Sequence, residues 1–274
     1  MNDGRLASSS ADNSIIIYNK TSFKPDIIIK EHKDWVLYII QLSSGLLASC
    51  SEDRTIKLFD IQNDKYKLIQ TLYYHTETIN KILELENKDL VSCSSDSSII
   101  FYVKDNLEYK KYYSFSTDSS CISIIQTKEN EICYSVKNNN TIYFYDLLNK
   151  SNINSISNIS KYNAKRERFI MINKELLVIP GYNKISIINV NEYKLVNIIE
   201  SPGSSWIYGV CMLNENMILT GDDSKIIIQW KIEGNNLILL SKKETAHYSS
   251  IYDLLNLGDG HIASSSDDNT IIIW

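Results

Sequence analysis

HKDWVLYIIQLSSGLLASCSEDRTIKLFD, from His32 to Asp60, is the stretch that decides the fold. Its second half, LASCSEDRTIKLFD from Leu47, runs from a short apolar strand through a polar turn. A β-branched and apolar strand then ends on the aromatic Phe59, which is the pattern of a β-hairpin. The segment recurs as LASSSADNSIIIYN from Leu6 and LVSCSSDSSIIFYV from Leu90. It decays to ICYSVKNNNTIYFYD from Ile132, LVIPGYNKISIINV from Leu177 and ILTGDDSKIIIQW from Ile218, then recovers in IASSSDDNTIIIW from Ile262. Aligned on the turn residues Asp12, Asp53, Asp96, Asn139, Asn183, Ser224 and Asp268, the spacings are 41, 43, 43, 44, 41 and 44. In repeats five and six the register is open by one residue.

Upstream of most hairpins lies a further apolar strand, over 36–42, 79–85, 122–126, 207–213 and 251–257. More polar stretches between the hairpins suit an outer strand and loop, and helical periodicity is hard to find anywhere. A period near 43 with this content is that of a four-stranded blade.

The residues resemble the WD-repeat family over essentially the whole chain. That family's repeat has a His before the inner strand, a Ser or Thr in the second, an Asp in the turn and a Trp ending the third. Repeat two supplies His32, Ser49, Asp53 and Phe59; repeat three His75, Ser92, Asp96 and Tyr102; repeat seven His247, Ser264, Asp268 and Trp274. The His-to-Asp separation is 21 residues in all three, and three of the four histidines serve this pattern. Repeat four has Asp118 and Asn139 in the His and Asp places. Repeat five has Tyr162 and Asn183, with Ile179 in the Ser place, and repeat six has Gly203, Thr220, Ser224 and Trp230. Blades four to six are therefore expected to rest on packing more than on a polar network.

The resemblance implies an all-β, seven-bladed β-propeller of four-stranded antiparallel blades, forming a single domain over 1–274. The inner strand of the first blade and the outer strand of the last are missing from the chain. Both are expected from one upstream segment of about 20–25 residues, half a repeat, so the chain reads as truncated at its N-terminus.

Composition narrows the function classes. The net charge of −5 leaves no broad basic surface to neutralise phosphates, against a nucleic-acid binder. The apolar runs are too short to span a bilayer, and residues 1–10 lack a signal peptide's apolar core. Five scattered cysteines without a CxxC pair read as buried thiols and place the chain in the cytoplasm or nucleus. No P-loop or GxGxxG is present. The histidines lie in separate repeats, so neither metal nor cofactor is expected. His32, Asp53 and Ser49 imitate a catalytic triad, but the set recurs in three repeats where an enzyme needs one.

In the family, the residues three and five after the repeat His, and the one before the turn Asp, face the top opening of the propeller. Carried over, these are Trp35, Leu37 and Glu52 in blade two, and Thr78, Asn80 and Ser95 in blade three. Blade four offers Cys121, Ser123 and Asn138, and blade five Lys165, Glu167 and Tyr182. Blade six offers Trp206, Tyr208 and Asp223, and blade seven Ser250, Tyr252 and Asp267. Blades six, seven and two thus gather aromatics beside carboxylates, which suits a partner peptide bearing Lys or Arg. The same aromatics equally suit packing between blades. The family implies a protein–protein scaffold without catalysis or a small-molecule substrate. The alternatives are a substrate-recruiting part of a larger assembly, such as a ubiquitin ligase, and a propeller hydrolase with Lys165, Arg166 and Glu167 in its channel.

Overall fold

The structure, a computed structural model, describes residues 1–106, 108–137, 139–159, 168–203 and 205–274. Seven antiparallel sheets follow one another, each pairing its strands in chain order, as expected for a seven-bladed propeller. Blade one has three strands: β1 (Leu6–Ser9), β2 (Ile15–Tyr18) and β3 (Pro25–Ile29). Blade two is β4 (Val36–Gln41), β5 (Leu47–Ser51), β6 (Ile56–Gln62) and β7 (Lys65–Leu72). Blade three is β8 (Ile79–Glu84), β9 (Leu90–Ser94), β10 (Ser98–Asp105) and β11 (Glu108–Ser116). Blade four is β12 (Cys121–Lys128), β13 (Glu131–Val136), β14 (Ile142–Asp146) and β15 (Ser151–Ile156). Blade five is β16 (Ile170–Met171), β17 (Leu176–Pro180), β18 (Lys184–Asn189) and β19 (Lys194–Glu200). Blade six is β20 (Ile207–Asn214), β21 (Met217–Asp222), β22 (Ile226–Glu233) and β23 (Asn236–Glu244). Blade seven has β24 (Ile251–Asn256), β25 (Ile262–Ser266) and β26 (Ile271–Ile273). The blades fall into two compact units, Met1–Ile124 and Ile125–Trp274.

Second strands are buried on both faces, which explains why LASCS, LVSCS and LLVIP carry small or apolar residues throughout. In the first unit, Ala48, Cys50 and Leu58 of blade two pack with Ile79, Ile82 and Ile100 of blade three. In the second, Val178 and Ile187 of blade five pack with Ile218, Ile228 and Trp230 of blade six. All five cysteines are buried.

Six of the hairpin turns hold one described residue in the left-handed region. Immediately after the turn residue, Asn13, Arg54, Ser97, Lys225 and Asn269 have φ of 71°, 69°, 62°, 65° and 64°. None is glycine, so the turn side chains must hold a left-handed backbone against its steric cost. Blade five resolves the open register. Pro180 pairs with Ile185, where Cys50 pairs with Ile56 in blade two, so the fifth turn is one residue shorter and Asn183 itself takes the left-handed place, φ 55°.

Blades six and seven approach closely through glycines. Gly209 and Gly221 are cross-strand partners in blade six. A Cβ on Gly209 would stand 3.2 Å from the backbone of Asp253 and Leu254, and one on Gly221 only 2.7 Å from Ile251 Cγ2. Small residues here let β24 lie directly on blade six.

Candidate functional site

In blade two, His32 Nδ1 lies 2.7 Å from Asp53 Oδ2 and its Nε2 2.7 Å from Ser49 Oγ. The same distances are 2.8 and 2.7 Å at His75, Asp96 and Ser92, and 2.9 and 2.7 Å at His247, Asp268 and Ser264. A carboxylate only accepts, so Nδ1 carries the proton and Nε2 accepts the serine hydroxyl. In blade seven Trp274 Nε1–H donates to Ser264 Oγ at 2.8 Å. In blade three Tyr102 lacks an indole, but its OH lies 3.0 Å from Ser92 Oγ and completes the network. Phe59 has no such group.

The turn aspartates also take the strained backbone in hand. Asp53 accepts the N–H of Thr55 at 3.0 Å, its hydroxyl at 2.6 Å and the N–H of Lys33 at 3.0 Å. Burial alone would raise the Asp53 and Asp96 carboxyls, but donors from His32 or His75, the turn Thr or Ser and a backbone amide outweigh it and hold both far below the usual carboxylate range. At Asp268, Thr270, Tyr248 N–H and His247 likewise overcome burial. Ser49, Ser92 and Ser264 are wholly buried, so no substrate carbonyl reaches their hydroxyls. These triads are staples between an inner strand and its hairpin.

Blade six keeps more polar structure than its sequence promised. Asp222, two residues before the turn position, accepts the N–H groups of Ser224 at 2.9 Å and Ile226 at 3.0 Å. It does for this turn what Ser51 and Asp53 share in blade two. Its burial outweighs these bonds, so its carboxyl is raised rather than lowered. Trp230 Nε1–H donates to Thr220 at 2.9 Å.

The residue three after the His place and the one before the turn are bonded neighbours. In the first unit Glu52 N–H donates to Trp35 O at 2.9 Å and Ser95 N–H to Thr78 O at 2.9 Å. In the second, Asp223 N–H donates to Trp206 O at 2.8 Å and Asp267 N–H to Ser250 O at 3.1 Å. The residue five after the His place sits on a β-bulge: the inner-strand register slips at Leu37, Asn80, Tyr208 and Tyr252. A bulge re-aims the side chain it carries, which strict alternation does not foresee.

In the second unit these places join into one strip. Tyr182 and Trp206 form an isolated β-bridge and their rings meet edge to face at 5.0 Å. Ser250 Oγ–H donates to the Asp223 carboxylate, linking blade six to blade seven. Tyr208 and Tyr252 meet edge to face at 5.3 Å. Tyr182, Asp223 and Asp267 are exposed and Trp206 and Tyr252 half-buried; Tyr208 is buried, so it supports Tyr252 and is not itself an exposed anchor. In the first unit Trp35 is exposed, with Leu37 and Glu52 half-buried. Lys165 and Glu167, with Arg166, Tyr162 and Asn138, lie outside the described residues. Among the described residues no group of three or more His, Cys, Asp or Glu is placed to hold a metal ion, and no helix is long and apolar enough to cross a membrane.

The family model for the WD domain, G-beta repeat, matches residues 23–60 and 240–274. These hold the His–Ser–Asp triads of blades two and seven. The matched repeats, together with seven four-stranded or three-stranded blades, are consistent with a WD-repeat propeller. A search of curated proteins returns no match. Propellers of this family generally serve as protein-interaction scaffolds and are typically non-catalytic.

Proposed function

We propose that the chain is a non-catalytic scaffold that holds a segment of a partner protein on the strip running from Tyr182 and Trp206 through Asp223 and Ser250 to Tyr252 and Asp267. The observation that carries this reading is the continuity of the strip: aromatic edges alternate with carboxylates, and each member is fixed by a neighbour. Fixed aromatics lose little entropy on binding and make good anchors. Asp223 and Asp267 beside them favour a partner segment bearing Lys or Arg, by charge pairing and cation–π contact. Five buried thiols suit a reducing compartment, the cytoplasm or nucleus.

Site-specific photo-crosslinking tests the location. A benzophenone side chain in place of Tyr182 is expected to capture a partner in the native cell. The same group at Val103, equally exposed on blade three, is expected to capture none. Capture at 103 with silence at 182 would refute the strip.

A further inference from the structure

Three residues of blades five, six and seven hold one equivalent inner-strand place. Ile170, Cys211 and Leu255 pair with Val178, Leu219 and Ala263, and two residues before them stand Arg168, Gly209 and Asp253. Arg168 Nη2 meets Asp253 Oδ2 at 2.9 Å, with side-chain exposures of 23% and 41%. Blade six, between these two in the chain, has no side chain at its matching place. A Cβ there would already press on the Asp253 backbone at 3.2 Å, so glycine leaves Asp253 clear for a guanidinium. Asp253 Oδ1 accepts the N–H of Leu254 at 3.0 Å, which fixes the carboxylate and turns Oδ2 to the cation. Its chain neighbour is Tyr252, the aromatic on the bulge.

Building on the proposed strip, we infer that Asp253 reads an arginine of the bound partner segment, and that Arg168 is its internal stand-in, displaced on binding. The carboxylate already has the orientation that a guanidinium needs, and its side of the pair is the more open to solvent. A partly exposed ion pair such as this one is worth at most about fivefold in an equilibrium, which sets the scale of what displacing Arg168 from Asp253 costs. An incoming arginine recovers the same bond and adds the face of Tyr252. Lysine brings a point charge without the planar fork and is the poorer substitute.

The test uses the full chain, immobilised, and pools of short degenerate peptides with a fixed central Arg, Lys or Ala. Wild type is expected to retain the Arg pool above the Lys and Ala pools. Arg168→Gln is expected to raise retention of the Arg pool about two- to fivefold, with a smaller rise for Lys. Asp253→Asn is expected to erase the Arg preference while Trp206 still governs what remains bound. Arg168→Lys, which keeps the cation and loses the fork, is expected to give an intermediate rise and serves if the glutamine variant fails to fold. An Arg preference that survives in Asp253→Asn, or retention unchanged or lowered in a folded Arg168 variant, overturns the inference and leaves the scaffold reading standing. Retention of no pool by wild type overturns both.

Discussion

Asp96→Ala is expected to destabilise the first unit by about 3 kcal/mol at neutral pH, the scale for removing one member of a buried, charge-assisted network. The carboxylate accepts His75 Nδ1–H at 2.8 Å, Thr76 N–H at 3.0 Å, Ser98 N–H at 3.0 Å and Ser98 O–H at 2.6 Å. Alanine strands all four donors, and the His75 side chain is fully buried. It also leaves the left-handed Ser97 turn held by Ser94, whose Oγ and carbonyl accept the N–H groups of residues 96 and 97. Asp12 in blade one is the control: it accepts the amide and hydroxyl of Ser14, holds no histidine and is exposed, so Asp12→Ala is expected to cost about 1 kcal/mol. Denaturant midpoints measure the difference, and hydrogen exchange in β9 and β10 locates it.

The pH dependence has a definite sign. The Asp96 carboxyl is lowered in the folded chain, so its contribution is complete above the unfolded value near 4 and fades as pH falls below it. The gap between wild type and Asp96→Ala should therefore close in acid. Asp222 is raised instead: folding favours its protonated form relative to the unfolded chain, so its contribution is lost as pH rises through the folded value. Asp222→Asn, which keeps an acceptor for the turn amides, is expected to match or exceed wild type at neutral pH. A gap at Asp96 that stays constant down to pH 3 would contradict this assignment.

Gly221→Val is expected to cost the second unit about 3 kcal/mol, at the upper end for overpacking a core. The added Cβ would meet Ile251 Cγ2 at 2.7 Å and Ile251 Cβ at 3.2 Å. Ile251 is fully buried and branched at Cβ, so it cannot swing aside without moving β24. Alanine at 251 would open the space the valine needs. The double variant Gly221→Val, Ile251→Ala should therefore be more stable than the sum of the single losses allows, by about 1 kcal/mol or more in a double-mutant cycle. Simple additivity would mean that blade seven is not seated on these glycines.

Much of this was legible in the sequence, because local chemistry writes itself into spacing. His, Ser and Asp recur at fixed separations because one hairpin geometry places them, and the turn residues were found for the same reason. What escaped depended on register. Strict alternation gives no sign of the bulges at Leu37, Asn80, Tyr208 and Tyr252, though these decide where the residues point. Asp222 looked like one more acidic residue because its partners are amides, which every residue has. Tyr102 departs from the Trp of the repeat pattern, yet its phenol hydroxyl, like an indole N–H, reaches the buried serine. Arg168 and Asp253 stand far apart in the chain, and only the equivalence of their strand positions brings them together. Whether an aromatic is anchor or support depends on its burial, and that divided Trp206 and Tyr252 from Tyr208.

The measurement that tests the central claim most directly is affinity capture from the native cell with wild type and the Trp206→Ala, Tyr252→Ala double variant, side by side. Both residues are half-buried at the strip and outside the staple networks, so the variant should keep the wild-type melting profile. The account predicts a partner retained by wild type and lost by the folded variant. The same partner retained equally by both would contradict it.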